Sequence, residues 1–222
     1  MSFPGIPRAA LAFLRGLSVH NDRDWFAAHK QEYEQSVRLP MVALLQDLAA
    51  TMLGIDDQLD LDPRRGALSR IHRDTRFSRD KSPYRTNQWL GIKRAGEGWP
   101  SRPTFFFEFG CDKYRWGMGY YAASASTMAA VRQRMAARTE EFLSAVATAD
   151  AAGFRLEGDR YARPRGDGAA PESIRAWQGM KSPYLAVTRK MDEAFHSPAL
   201  AAEVAGGFQA LAPLYRFLMA AG

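Results

Sequence analysis

Apolar residues in the first 53 positions recur at spacings of three and four, the period of a helix that buries one face. Leu11, Leu14 and Leu17 begin the first. Asn21 or Asp22 can cap a second that carries Trp25, His29 and Tyr33 on one side. Pro40, suited to a first helical turn, opens a third with Leu44, Leu45, Leu48 and Met52. Three short helices therefore start the fold. Residues 67–73 and 88–93 then read as strands, separated by a polar segment in which Pro83 forces Ser82 into extended backbone. Alternation is clearest over 104–121, where Phe105, Phe107 and Phe109 interleave with Phe106 and Glu108 at the two-residue period of a strand. If Gly110 to Lys113 form a four-residue turn, Phe109 faces Tyr114, Phe107 faces Trp116, Phe105 faces Met118, and Glu108 meets Arg115 on the other side. Aromatic and ionic cross-strand pairs each favour that register, by a few tenths to about 1 kcal/mol. An antiparallel hairpin is predicted.

Helical spacing returns over 126–150 through Met128, Val131 and Met135, then Phe142, Leu143 and Val146, with a break near Thr139. Residues 153–167 are rich in Gly and Arg with short extended pieces. Pro171 begins a short helix containing Ile174 and Trp177, and Ser197 with Pro198 starts a C-terminal helix interrupted by Pro213. Gly117 and Gly119 flank the Phe106 position in the hairpin and mark close packing of another element rather than a phosphate loop. Two copies of Lys-Ser-Pro-Tyr, at 81–84 and 181–184, lack surrounding similarity and are taken as coincidence. Helices flanking an antiparallel centre make the chain α+β, a single domain over 1–222 with the aromatic hairpin in the middle of its sheet.

Composition refines this picture only slightly. With 222 residues, 46% hydrophobic and 24% charged, the chain can bury a proper core, which excludes a disordered tail, a coiled-coil rod and a disulfide scaffold. The single cysteine, Cys111, has no intramolecular partner. The apolar stretch from Ala9 to Leu14 stops at Arg15, too short for a signal peptide, and no run approaches the roughly 18 apolar residues of a membrane span. A reducing cytoplasm is the expected compartment, with no membrane partner.

Charge changes the picture more. The formal charge is +6, and residues 69–94 alone carry it: Arg70, Arg73, Arg76, Arg79, Lys81, Arg85, Lys93 and Arg94 stand against only Asp74 and Asp80, while the rest of the chain balances. Cations at that density need counter-charges, solvation or an anionic ligand. Arginine outnumbers lysine five to one between Arg70 and Arg85. The planar guanidinium suits bidentate pairing with carboxylate or phosphate, whereas a merely solubilising surface does as well with lysine.

The string from Arg70 to Tyr84 fits R-x-x-R-D-x-R-F-x-x-x-K-x-x-Y. It resembles the signature of an uncharacterised, mainly bacterial family, the domain of unknown function 2461. The segment Phe13-Leu14, Leu17, Asn21 to Phe26, His29-Lys30 and Tyr33-Glu34 resembles that family's N-terminal portion. The resemblance runs over nearly the whole chain, implies one single-family domain, and supplies no reaction.

Read physically, Arg70, Arg73, Arg76 and Lys81 can converge on an oxyanion, with Asp74 orienting one guanidinium and Tyr84 supplying a hydroxyl. Asn21, Arg23, His29 and Lys30 can join them across a cleft, or simply lie on the wet side of a helix whose aromatic face is core. Three functions fit. The leading one is binding of an anionic, phosphate-bearing ligand, a small molecule or nucleotide. The second is a phosphoester hydrolase, nuclease-like or phosphatase-like, with Asp74 or Asp80 as base or metal ligand. The third is a protein without catalysis in which the motif is an ion-pair network fed by the preceding acidic stretch Asp56 to Asp62. Nucleic acid is a weaker partner, suggested by Phe77, Tyr84, Trp89 and Trp99 around the basic cluster. His72, Asp74 and Asp80 lack a recognised ligand spacing, and Walker and G-x-S-x-G motifs are missing, so neither metal nor cofactor is expected.

Overall fold

Leu11, Leu14 and Leu17 are buried on one face of α1 (Arg8–Val19), as their spacing requires. Asp22 caps α2 (Arg23–Glu32), accepting from the Trp25 N–H at 2.8 Å. The structure, a computed structural model, describes residues 2–96, 98–163 and 170–221, and of Trp99 the backbone alone. Trp99 as a stacking ring and the end of the Gly- and Arg-rich stretch, Pro164 to Asp167, thus lie outside the described residues.

The N-terminal helices depart from expectation at Pro40. There is no third, separate helix: α2 runs through a π-helical turn, Tyr33–Arg38, into α3 (Leu39–Ile55). A proline inside an α-helix removes one N–H and crowds the carbonyl four residues back, here Ser36. Widening the turn before it, with the Leu39 N–H bonded to the Glu34 carbonyl, lets the helix pass the proline without ending. The joined helix, Arg23–Ile55, is long and apolar enough to cross a membrane by length and composition, with a mean hydropathy of 1.3 over 18 residues, contrary to the run-length expectation. Its apolar residues Val37, Met41, Leu44, Leu45, Leu48 and Met52 are core.

A six-stranded antiparallel sheet supplies the centre, in the order β1 (Leu59–Asp60), β2 (Gln88–Arg94), β3 (Thr104–Phe109), β4 (Lys113–Gly119), β6 (Tyr184–Lys190), β5 (Arg155–Glu157). The hairpin β3–β4 has the expected register, with Phe109 opposite Tyr114, Phe107 opposite Trp116 and Phe105 opposite Met118, while Glu108 and Arg115 pair at 2.8 Å on the other face. Phe105, Phe107 and Phe109 point at the helices; the Phe105 ring lies 5.2 Å from Phe208 and 4.8 Å from Tyr215 of α7 (Ala199–Met219). The opposite face presents Trp89, Phe106, Arg115 and Tyr184, all half-buried.

Residues 67–73 form no continuous strand. They run beside 84–90 with bridges only at Leu68–Leu90 and His72–Tyr84. The break near Thr139 is present, between α4 (Ala125–Ala137) and α5 (Thr139–Ala151), and α6 (Glu172–Gln178) follows Pro171 with Ile174 and Trp177 buried. Pro213 does not interrupt α7. It sits on the exposed side, as does Gln209, whose carbonyl loses its partner to the proline and faces water, while Leu211, Leu214, Tyr215, Phe217 and Leu218 stay buried. The helices and antiparallel sheet make the fold α+β.

Candidate functional site

The motif forms a narrow arm that folds back on itself. The Arg73 N–H donates to the Pro83 carbonyl and the Arg85 N–H to the Ile71 carbonyl, each at 2.8 Å, so 71–73 and 83–85 pair antiparallel around the loop 74–82. In that register the N–H and C=O of Tyr84 point away from its strand partner. Asn21 takes both: its Nδ2 donates to the Tyr84 carbonyl and its Oδ1 accepts from the Tyr84 N–H, each at 3.0 Å. A carboxamide carries the donor and acceptor of a peptide group, so the Asn21 side chain acts as one residue of a neighbouring strand. Phe26, one turn into α2, stacks on the Tyr84 ring at 4.2 Å and 19°. Helix and arm are thereby joined at the residue that closes the motif.

The loop is tied by its own acids. Asp74 accepts from the Arg76 backbone at 3.1 Å and from its guanidinium at 3.0 and 2.7 Å, and these bonds hold the Asp74 carboxyl down to about 2. Asp80 accepts from Ser82 Oγ at 2.6 Å and Ser82 N–H at 2.9 Å, and its second oxygen pairs with Arg73. Ser82 first, and then Arg73, hold it well below the usual carboxylate range. Lys81 Nζ donates to the Thr75 carbonyl at 2.9 Å.

Between the arm and the junction of α1 with α2 lies a cleft of about 370 Å³ lined by Ser18, Asn21, Arg73, Asp80, Ser82, Tyr84, Arg85, Thr86 and Asn87. Of the residues expected there, Arg73, Asp80, Tyr84 and Asn21 meet in it. Arg70, Arg76, Lys81 and Asp74 lie on the arm outside it, and Arg23 and Lys30 are exposed on α2. His29 is turned away, stacked on Trp25 at 4.0 Å with its Nδ1 2.8 Å from the Trp25 carbonyl. Arg85, Thr86 and Asn87 were missed because they follow the motif's last fixed position. A polar run bridging an arginine motif and a strand was the available signal. Burial pushes the Cys111 thiol up, away from a nucleophile's range.

The acidic stretch neutralises the far end of the basic segment and not the arm. Asp56 pairs with Arg94 at 2.6 Å, while Asp62 is taken by Arg65, ahead of the segment, at 3.4 Å. Arg70, Arg79, Lys81 and Arg85 have no carboxylate partner among the described residues; Arg85 instead lies over the Trp89 ring at 4.7 Å. The Arg76–Asp74 pair is in water, the two side chains 78% and 55% exposed. Asp74→Asn is therefore expected to move the melting temperature by no more than about 2 °C. A drop well beyond that in a thermal melt would show that the Arg76–Asp74 pair supports the fold.

No curated protein matches the chain at a significant level. The family model described as conserved hypothetical protein, DUF2461, matches residues 9–217, a span that includes both the arm and the helix that grips it. The chain therefore belongs to the family of the domain of unknown function 2461.

Proposed function

We propose that the cleft between the α1–α2 junction and the 73–87 arm binds an anionic, phosphate-bearing ligand. One observation carries this: Arg73 and Arg85 border a cavity lined otherwise by Tyr84, by the hydrogen-bonding side chains of Ser18, Asn21, Ser82, Thr86 and Asn87, and by one carboxylate, Asp80, which Ser82 and Arg73 already engage. Such a wall suits an oxyanion, each of whose oxygens accepts several bonds. Arg73 is 24% exposed and held by Asp80, so its guanidinium is positioned before a ligand arrives. Arg85 brings a charge that no carboxylate offsets among the described residues.

Titration calorimetry against inorganic phosphate, AMP and ATP tests the proposal. At least one nucleotide binds, and Arg85→Ala weakens it about tenfold or more, the usual loss for a hydrogen bond to a charged group. Arg73→Ala does the same. Absence of binding across the panel, or equal affinity in both variants, overturns the reading.

Asp80 favours a second reading, phosphoester hydrolysis, because its ionised carboxylate borders the same cleft. A carboxylate held ionised serves as base or metal ligand, not as acid. Among the described residues no three His, Cys, Asp or Glu side chains gather around one point. Metal-supplemented turnover of a phosphodiester that Asp80→Asn abolishes would establish hydrolysis. Turnover equal in the two proteins rules it out.

A further inference from the structure

The cations of the motif do not converge, and their dispersal says something about the size of the anion. A single phosphate is served by the two arginines at the cleft. Arg70, Arg79 and Lys81 stand outside it, exposed and without carboxylate partners among the described residues, where a small ligand in the cleft does not need them. Cations spread along a surface match a polyanion whose charges are spread likewise.

A second observation concerns the loop's tip. Phe77 is 95% exposed, more than any other large apolar side chain among the described residues, with the Arg76 guanidinium 5.8 Å from its ring. Nothing in the core needs it there. Trp89 lies half-buried on the open face of β2 beneath Arg85, which borders the cleft. Two aromatic rings near the motif thus each lie beside a guanidinium, and one of those guanidinium groups, that of Arg85, borders the cleft. Rings beside phosphate-binding cations are how single strands are held, because every base has a face that can stack.

We propose that the arm binds single-stranded nucleic acid, with a phosphate in the Arg73–Arg85 cleft, an adjoining base on Phe77 and another beside Trp89. This rests on the cleft reading and extends it from a phosphate group to a polymer. An anionic membrane is disfavoured by the loop itself: Phe77 is the one large apolar side chain in 74–82, beside two carboxylates, whereas stable lipid anchoring needs much more apolar surface.

Fluorescence anisotropy with labelled oligo(dT) of about 15 nucleotides, alongside calorimetry with thymidine monophosphate, tests it. With Arg70, Arg73, Arg79, Lys81 and Arg85 engaged, the affinity for the oligonucleotide falls roughly 130-fold between 50 and 200 mM salt. Arg70→Ala with Arg79→Ala makes the log–log salt slope shallower by about 1.4. Phe77→Ala, a change in water that leaves the fold intact, weakens the oligonucleotide about tenfold, with the slope and the mononucleotide affinity unchanged. If the mononucleotide binds and the oligonucleotide binds no more tightly, the polymer inference is overturned and the cleft reading survives. If neither binds, the polymer inference falls, and the cleft reading falls with it when phosphate, AMP and ATP also fail to bind. An oligonucleotide that binds Phe77→Ala as well as the parent overturns the inference, as does binding to phosphatidylserine vesicles in place of the oligonucleotide.

Discussion

Gly117→Ala is expected to destabilise the protein by about 3 kcal/mol, although alanine in a strand ordinarily improves on glycine. The sign is decided by β6. A Cβ at position 117 would lie 1.9 Å from the Leu185 carbonyl oxygen and 3.0 Å from the Ala186 Cα, both backbone atoms of the neighbouring strand. No side chain can rotate to make room, so β4 and β6 must separate along a ladder that pairs Lys113–Gly119 with Tyr184–Lys190. Gly119 is equally confined, with Tyr184 Cα at 2.3 Å. Gly91 is the control. It lies on the same sheet face, opposite Phe106, and a Cβ there meets only Thr104 Cγ2 at 3.9 Å. For a chain of this size, Gly117→Ala lowers the melting temperature by roughly 6–12 °C, whereas Gly91→Ala leaves it level or slightly raised. Equal melts for the two variants would refute the close approach of β6.

That approach was half legible. Glycines flanking Phe106 told that another element comes near, because a strand gives up side-chain packing only for some gain. They did not tell that the element is a strand. Tyr184 to Thr188, following a proline, has the β-branched and aromatic content of a strand but is short, and nothing local in it names β4 as its partner. The β3–β4 hairpin was read to the residue because both partners lie within one window and the turn sets their register.

The two internal prolines show the opposite failing. Pro40 and Pro213 were read as a helix start and an interruption, since local sterics say so. Burial of residues far away in the chain outweighs that local cost, through a widened turn at Tyr33–Arg38 and a solvated carbonyl at Gln209. The candidate site divides along the same line. Charge density located the arm, since repulsion among cations is readable from composition. Which arginines meet in the cleft depends on the fold-back at Arg73–Pro83 and on the Asn21 clamp, contacts between residues 63 apart in the chain for the latter.

Asp56→Asn is the second change with a large expected effect, and it separates the basic segment's structural end from the end proposed to bind. The Asp56 side chain is 4% exposed at the C-terminus of α3 and accepts from Arg94 Nε at 2.6 Å, from the Tyr215 hydroxyl at 2.5 Å and from the Gln58 N–H at 3.0 Å. One carboxylate thus ties α3, the end of β2 and α7. Burial alone would push its pKa up; the bonds from Arg94, Tyr215 and Gln58 outweigh it and hold the group below its ordinary value. Removing one partner of a buried pair costs about 3–5 kcal/mol. Arg94 is 31% exposed and can recover some hydration, so a loss of about 2–3 kcal/mol is expected at neutral pH. The sign with pH follows from the depressed value. Protons bind the unfolded carboxylate more tightly than the folded one, so its stabilisation is full above the unfolded pKa near 3.9 and is lost as pH falls through the lower folded value. Urea melts of parent and variant should therefore differ most at pH 6–7 and draw together below about pH 4. A gap that stays constant down to pH 3 would show that Asp56 acts through shape alone. Because Arg94 is spent on this tie, Asp56→Asn should also leave nucleotide binding at the Arg73–Arg85 cleft unchanged in whatever fraction stays folded, which places the binding end of the +6 segment on the arm.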